Sequence, residues 1–338
     1  METHPLVTHP WLKPSCGLER LPDALTIRNG PFKLTLPARA DADVALERIR
    51  NEAGDRDAVA SALCELTGKD PAAVQLLITD LVKGGVLLQH PNAEDRWFAA
   101  DYIAYRLVDT YRTTLPAQLQ ATALSETLSA PDGRTVAVGL LLETYYFVRT
   151  AAWTSGSVLG RPMTDVQRRL LDAFFIEERD HAEAMAPAFR QLGLDEDEVR
   201  RGVASVENRL YQNVFYACGH RSAAHFAAAL IVPEVPQHPA GTHGPTTDVL
   251  DMAQRLHGIP DGVARVFREH AAMDLTEDHG ALPIRVISAE QAIGRNTATD
   301  LFRALRLAQD AYVLYLAGIV RHYRHWDGRP ATAPAHQF

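Results

Sequence analysis

Between residues 96 and 326 the apolar positions of this chain fall at i, i+3, i+4 and i+7, the repeat of helices that bury one face. The segments RWFAADYIAYRLVDTYR, TVAVGLLLETYYFVRTAAW, TDVQRRLLDAFFIEERDHAEAMAPAFRQLG, EVRRGVASVENRLYQNVFYACG, HRSAAHFAAALIV, TDVLDMAQRLHG, DGVARVFREHAAMDLTEDHG and TATDLFRALRLAQDAYVLYLAGIVRHYRHW all carry it. Gly- and Pro-marked connections (GRPM, GLDEDE, PEVPQHPAGTHGP, HGIPDG) separate them, as helix ends require. The pattern predicts a mainly α fold: a helical bundle over 120–327, entered through a connecting helix at 93–119 and followed by a tail at 328–338.

The pattern is different before residue 93. ALTIRNGPFKLTLP alternates apolar and polar around Asn29-Gly30, a pair suited to a tight hairpin. VALERIRNEAG, DRDAVASALCELTG and DPAAVQLLITDLVKGGVLL then read as short helices bordered by Gly or Asp. A ribbon with three short helices makes a winged-helix-like α+β unit over 21–92, behind a tail at 1–20. The hairpin, the DLVKGG turn and the final VLL resemble the small domains, such as the one in pyrroloquinoline-quinone biosynthesis, that hold a precursor peptide's leader. A DNA-binding winged helix shares these elements. Asp41, Asp43, Glu47, Glu52, Asp55 and Asp57 weigh against DNA, because phosphate binding uses Lys and Arg to displace counterions.

Composition narrows the function classes. Among 338 residues, 46% are hydrophobic and 22% charged, the balance of a folded globular chain. Net charge is −8 and no basic run occurs, which excludes a nucleic-acid partner. Cys16, Cys64 and Cys218 are scattered, so neither a disulfide framework nor a thiolate zinc site is expected. No apolar stretch approaches the roughly 20 residues of a spanning helix, and METHPLVTHPWLKPSCG lacks the pattern of a secretory leader. The expectation is a cytoplasmic protein with no membrane partner.

The chemistry lies in the bundle. Residues three or four apart share a helix face, which pairs Glu178 with His181 in FFIEERDHAEAM and His270 with Asp274 in FREHAAMDLTEDHG. Glu143 in GLLLETYYFV and Glu234 in AAALIVPEVP stand where apolar side chains belong. A buried carboxylate must be paired, coordinated or protonated. Two metal ions explain all these places at once, since bundles bind such pairs with inward-facing carboxylates and Glu-x-x-His motifs. Mixed imidazole and carboxylate ligands suit iron that reacts with oxygen. For Glu143 a partner such as a buried Arg would read identically. His225, His238 and His243 carry no assigned role, and Tyr145, Tyr146 and Phe147 read as core.

With these residues in hand, the stretch from about 120 to 325 resembles the heme-oxygenase-like di-iron oxidases and oxygenases, which share a helical fold with thiaminase-type and pyrroloquinoline-quinone-type proteins. The resemblance implies Glu178 and His181 from one helix, Glu234 from a later one, and a final His-x-x-x-Asp-x-x-His element matched by His270 and Asp274. It admits Glu143 as an extra carboxylate. The last histidine departs from the pattern: Glu277 occupies its position and a His-Gly pair follows two residues late, at His279-Gly280. In a regular helix His279 lies about 180° from His270, so it ligates only if the helix bulges or ends early. Otherwise Glu277 or Asp278 takes its place. The resemblance further implies two Fe2+ ions, O2 as co-substrate and an external electron donor. The substrate is expected to be an amino-acid-like small molecule or one presented on a peptide or carrier, and a homodimer is left open. Metal-free thiaminase-like or cofactorless chemistry on the same fold, and a non-catalytic binding protein, are the alternatives.

Overall fold

The computed structural model describes residues 10–12, 17–21, 24–29, 32–37, 49, 56–83, 86–89, 96–236, 245–276 and 279–331. The chain divides into two compact units, Met1–Tyr105 with Ala292–Arg295, and Arg106–Gln291 with Asn296–Phe338.

In the first unit β2 (Gly17–Leu21), β3 (Ala24–Asn29) and β4 (Phe32–Pro37) form an antiparallel meander, while β1 (Pro10–Leu12) pairs with β5 (Leu87–Gln89). Asn29 pairs with Phe32, so it ends a strand instead of sitting inside the turn. Asp70 caps α2 (Pro71–Lys83) by accepting from the Ala73 N–H at 2.9 Å, with Pro71 at the first helical position. Leu25, Ile27 and Leu36 from the sheet share one core with Leu63 and Leu66 of α1 (Arg56–Thr67) and Ile78 and Leu81 of α2. The helix expected over VALERIRNEAG lies outside the described residues, apart from Ile49, which is buried in that core. Helical periodicity had claimed Trp97 and Phe98. They belong to β6 (Trp97–Ala99), which pairs with β7 (Ala292–Gly294), a partner too distant in sequence for a local pattern to register.

The second unit is helical. It contains α3 (Ala100–Gln120, from residue 106), α4 (Leu124–Ser129), α5 (Arg134–Leu159), α6 (Asp165–Glu178), α7 (His181–Met185), α8 (Glu196–Arg201), α9 (Val206–Arg221), α10 (Ala223–Glu234), α11 (Pro245–His257), α12 (Asp261–Thr276), α13 (Leu282–Ser288) and α14 (Arg295–Tyr323, from residue 296). Two segments that read as single helices are broken. TDVQ…FRQLG becomes α6, a turn at Arg179–Asp180, α7 and a 3-10 helix at Ala186–Leu192. Pro187 has no N–H to give and its ring crowds the carbonyl four residues back, which disfavours a continuing α-helix. Gly193, at φ 80°, closes the segment. EVRR…YACG splits at Gly202, and Ser205 restarts it as α9 by accepting from the Asn208 N–H.

α5 is the central helix: it packs on α6, α7 and α9, and is buried on nearly every side between Val136 and Val148. Its Glu143, 1% exposed, is held by four donor groups. The Ser205 N–H donates at 3.0 Å, the Ser205 hydroxyl at 3.1 Å, Asn208 Nδ2 at 2.7 Å and the Tyr323 hydroxyl at 2.9 Å. One carboxylate thus ties α5 to the start of α9 and the end of α14. Gly139, one turn earlier, makes the room: a Cβ there would lie 2.1 Å from the Tyr323 ring. Tyr323→Phe should lower stability by about 1–3 kcal/mol in urea unfolding, because it removes a bond to a buried carboxylate, while leaving metal content unchanged. Loss of metal without loss of stability would instead make Glu143 a ligand.

Candidate metal centre

The last turn of α6 carries Glu177 and Glu178, and His181 opens α7 beyond the turn. Spacing of three keeps the pair together across the break: His181 Nδ1 lies 3.6 Å from Glu178 Oε2, and both side chains are buried. The far end of α6 is fixed by a capping box between Thr164 and Gln167. Gln167 Nε2 also donates to the Val286 carbonyl at 3.0 Å and to Glu290 at 2.9 Å, locking α6 against α13.

Glu234 ends α10, a helix buried at every position from Ala223 to Val232. Pro236 has no N–H to meet the Val232 carbonyl, as a continuing helix would require. That carbonyl accepts from the Tyr111 hydroxyl at 3.2 Å instead, and Arg112 Nε donates to the Pro236 carbonyl at 3.1 Å. α3 thereby anchors the helix end that presents Glu234.

His279 arrives by another helix end. α12 is described through Thr276, and His279 opens a 3-10 turn through Ala281 that packs on α10, α12 and α13. Its ring is 2% exposed. Nε2 donates to Glu177 Oε2 at 3.2 Å, which turns Nδ1 toward Glu178 Oε1 at 3.6 Å and Glu234 Oε2 at 3.4 Å. Phe174 stands edge-on to the imidazole, ring centres 5.0 Å apart. Gly280 lies against the end of α10: a Cβ there would sit 3.1 Å from the Pro236 ring and 3.4 Å from the Glu234 carbonyl. A larger residue would push apart the two segments that bring His279 and Glu234 together.

One ligand atom from each of Glu178, Glu234 and His279 falls within 4.8 Å of the other two. The His181 ring is 6.4 Å from that of His279 and 5.1 Å from that of His270, which α12 supplies. Of the residues expected at the site, Glu178, His181, Glu234, His270 and His279 are therefore brought into one neighbourhood. Asp274 lies one turn beyond His270 on α12, but its side chain is outside the described residues, as are Glu277 and Asp278 altogether. Glu143 is engaged in its own hydrogen-bond knot with Ser205, Asn208 and Tyr323 and does not enter the Glu178–Glu234–His279 group. His225 accounts for itself locally, its Nδ1 2.8 Å from the capping hydroxyl of Ser222. His238 and His243 fall outside the described residues.

Two cavities flank the cluster. The larger, about 630 Å³, takes Glu178, Glu234 and His270 into a mostly apolar wall that includes Leu141, Phe147, Phe226, Leu230 and Phe267 beside Thr144, Ser155, Tyr211 and Tyr312. The smaller, about 310 Å³, is bordered by Arg169, Glu177, His279 and Arg285, and Phe174 lines both. Two carboxylates brought this close in a buried place repel each other unless a positive charge joins them. The donors are oxygen and imidazole nitrogen, a set that fits iron or manganese and lacks the thiolate of structural zinc. Cys218 is buried in α9, and burial pushes its thiol up to about 11.

Sequence reasoning missed Glu177, which orients the His279 ring. A second-sphere carboxylate beside a ligand histidine is common, but nothing in a run of acidic residues says which one turns inward. It also missed Tyr211, a buried cavity residue hidden inside an ordinary amphipathic helix.

No family model matches the chain, and no curated protein is similar to it. Among solved structures, the chain is similar to a domain of unknown function with a heme oxygenase-like fold from Shewanella denitrificans. Identity is 12%, the match covers 66% of this chain and 97% of that one, and the TM-score is 0.52. At that identity the likeness is one of fold: the chain has a heme oxygenase-like helical fold, the class its sequence led one to expect, together with a small strand-containing N-terminal region.

Proposed function

We propose that the chain is an O2-dependent, non-heme di-iron oxidoreductase. The observation that carries this reading is the convergence of Glu178, Glu234 and His279 within 4.8 Å, the two glutamates lining a mostly apolar cavity of about 630 Å³. Glu178, His181, Glu234, His270, Asp274 and His279 are the residues that would hold the metal. Iron bound there supplies reduction of O2 coupled to oxidation of a neighbouring substrate. The chain's own part is positional. Glu177 fixes the His279 ring through Nε2, leaving Nδ1 for the metal side. Phe174, Phe226 and Leu230 keep bulk water from the cavity face of the cluster, where charged ligands interact most strongly. An apolar wall suits a substrate with an apolar body, either an amino-acid-like molecule or a group presented on a peptide or carrier. The N-terminal unit, with its own core and three-stranded antiparallel sheet, is read as the module that recognises such a peptide or carrier. Electrons come from an external donor.

Metal analysis after anaerobic loading with Fe2+ tests the proposal. Wild-type protein should retain two irons per chain. Glu178→Ala and His181→Ala should each lose iron with the helical circular dichroism unchanged, since the cluster is a small part of the buried interior. Unchanged iron in both variants, or none in wild type, would overturn the assignment.

The choice of final ligand is tested separately. His279→Ala should lower occupancy by about one iron, whereas Glu277→Ala should leave it intact. The reverse result would make Glu277 the ligand, and a site richer in carboxylate would favour manganese.

A further inference from the structure

Several polar side chains line the large cavity, and one of them is deeply buried with its hydroxyl unsatisfied. Tyr211, on α9, is 1% exposed and lines the cavity, and its hydroxyl is buried with no hydrogen-bond partner among the described residues. Four aromatic rings surround it. Phe147 stacks on it at 5.1 Å and Tyr315 at 5.8 Å, while Phe215 meets it edge-on at 4.9 Å and Tyr312 lies at 5.4 Å. A buried hydroxyl without a partner is destabilising, and phenylalanine would fill the same aromatic slot without that penalty. By contrast, the Tyr323 hydroxyl in the same bundle has its carboxylate partner, and the Tyr111 hydroxyl its carbonyl. Burial, with a smaller contribution from neighbouring groups that include Glu234, holds the Tyr211 phenol well above its usual pKa. It is therefore a proton donor at neutral pH.

We propose that the Tyr211 hydroxyl is the polar anchor of this cavity: it donates a hydrogen bond to a carbonyl-type oxygen on an otherwise apolar substrate. The inference rests on reading the cavity as the substrate chamber, and on a small shift of the surrounding rings that opens the hydroxyl to it. Glu234 and Tyr211 line the same space, so a molecule anchored at Tyr211 is held beside the cluster by one directional bond and apolar contact with Phe147, Phe215 and Leu230. The bond sets where along the molecule the cluster faces. Such a site rejects an analogue lacking the acceptor, because the phenol is then left unpaired. Tyr211 is a specificity-determining residue on this account, with no role in holding metal.

A matched pair of probes tests it on the full chain. Benzophenone and diphenylmethane share a skeleton and differ by a carbonyl in place of a methylene. Calorimetric titration should show that Tyr211→Phe weakens benzophenone binding about tenfold, the effect of one lost hydrogen bond in a buried site, and changes diphenylmethane binding less than twofold. The infrared carbonyl stretch of bound benzophenone should lie at lower frequency in wild type than in Tyr211→Phe. The variant should melt at or above the wild-type temperature. Equal changes for both probes, or an unshifted carbonyl band, would overturn the anchor and leave the chamber standing. If neither probe binds wild-type protein, anchor and chamber both fall, while the metal analysis stands apart. A lower melting temperature for Tyr211→Phe would show that the hydroxyl already has a structural partner, and would also overturn the proposal.

Discussion

Two glutamate side chains, Glu178 and Glu234, meet an imidazole nitrogen in a place from which water is largely excluded, and the architecture around them depends on that meeting. Carboxylates in a medium of low polarity repel each other strongly, and each has lost much of the hydration that would otherwise stabilise it. A shared cation removes both penalties together. Glu143 shows the other solution in the same bundle: a single carboxylate, buried more deeply than either, satisfied by donors from Ser205, Asn208 and Tyr323. The contrast separates a carboxylate satisfied by hydrogen-bond donors from a pair that converges on an imidazole.

Regular helices alone would not deliver the cluster. Each residue of the Glu178–Glu234–His279 group stands at or beside a helix end: Glu178 at the end of α6, Glu234 at the end of α10, His279 at the start of the turn after α12. Helix ends leave backbone groups unsatisfied, and neighbours complete them, as Tyr111 and Arg112 do for α10. Those completions fix the ends in space. The three side chains are therefore placed by a handful of cross-helix bonds and by the close approach that Gly280 permits, more than by the faces of long helices. The ends that carry Glu178 and Glu234 open onto the larger cavity, while His279 borders the smaller one.

Much of this was legible in the sequence, for reasons that also mark where reading failed. Long helices such as α14 announce themselves by periodicity, and Glu178 with His181 stood out because a carboxylate and an imidazole share a face at spacing three. Glu234 was visible as a charge at the end of an apolar run. The breaks at Arg179–Asp180 and Gly202 were not read, because apolar spacing continues across them while Pro187, Gly202 and Ser205 change the backbone. β6 and β7 were invisible, since a strand pair some two hundred residues apart leaves no local period. Glu143 illustrates a genuine ambiguity: a buried glutamate reads the same whether its partners are metals or amides, and only its donors distinguish them. Tyr211 and Glu177 became apparent only through what surrounds them.

The central claim is that this group of side chains encloses metal. Crystals of the full chain loaded anaerobically with Fe2+ and measured on both sides of the iron absorption edge would test it most directly. The account predicts two anomalous peaks, one bounded by Glu178, Glu234 and His279 and the other beside His181 and His270. Iron-loaded crystals with no anomalous density among these five side chains, or with density only on surface carboxylates, would contradict it.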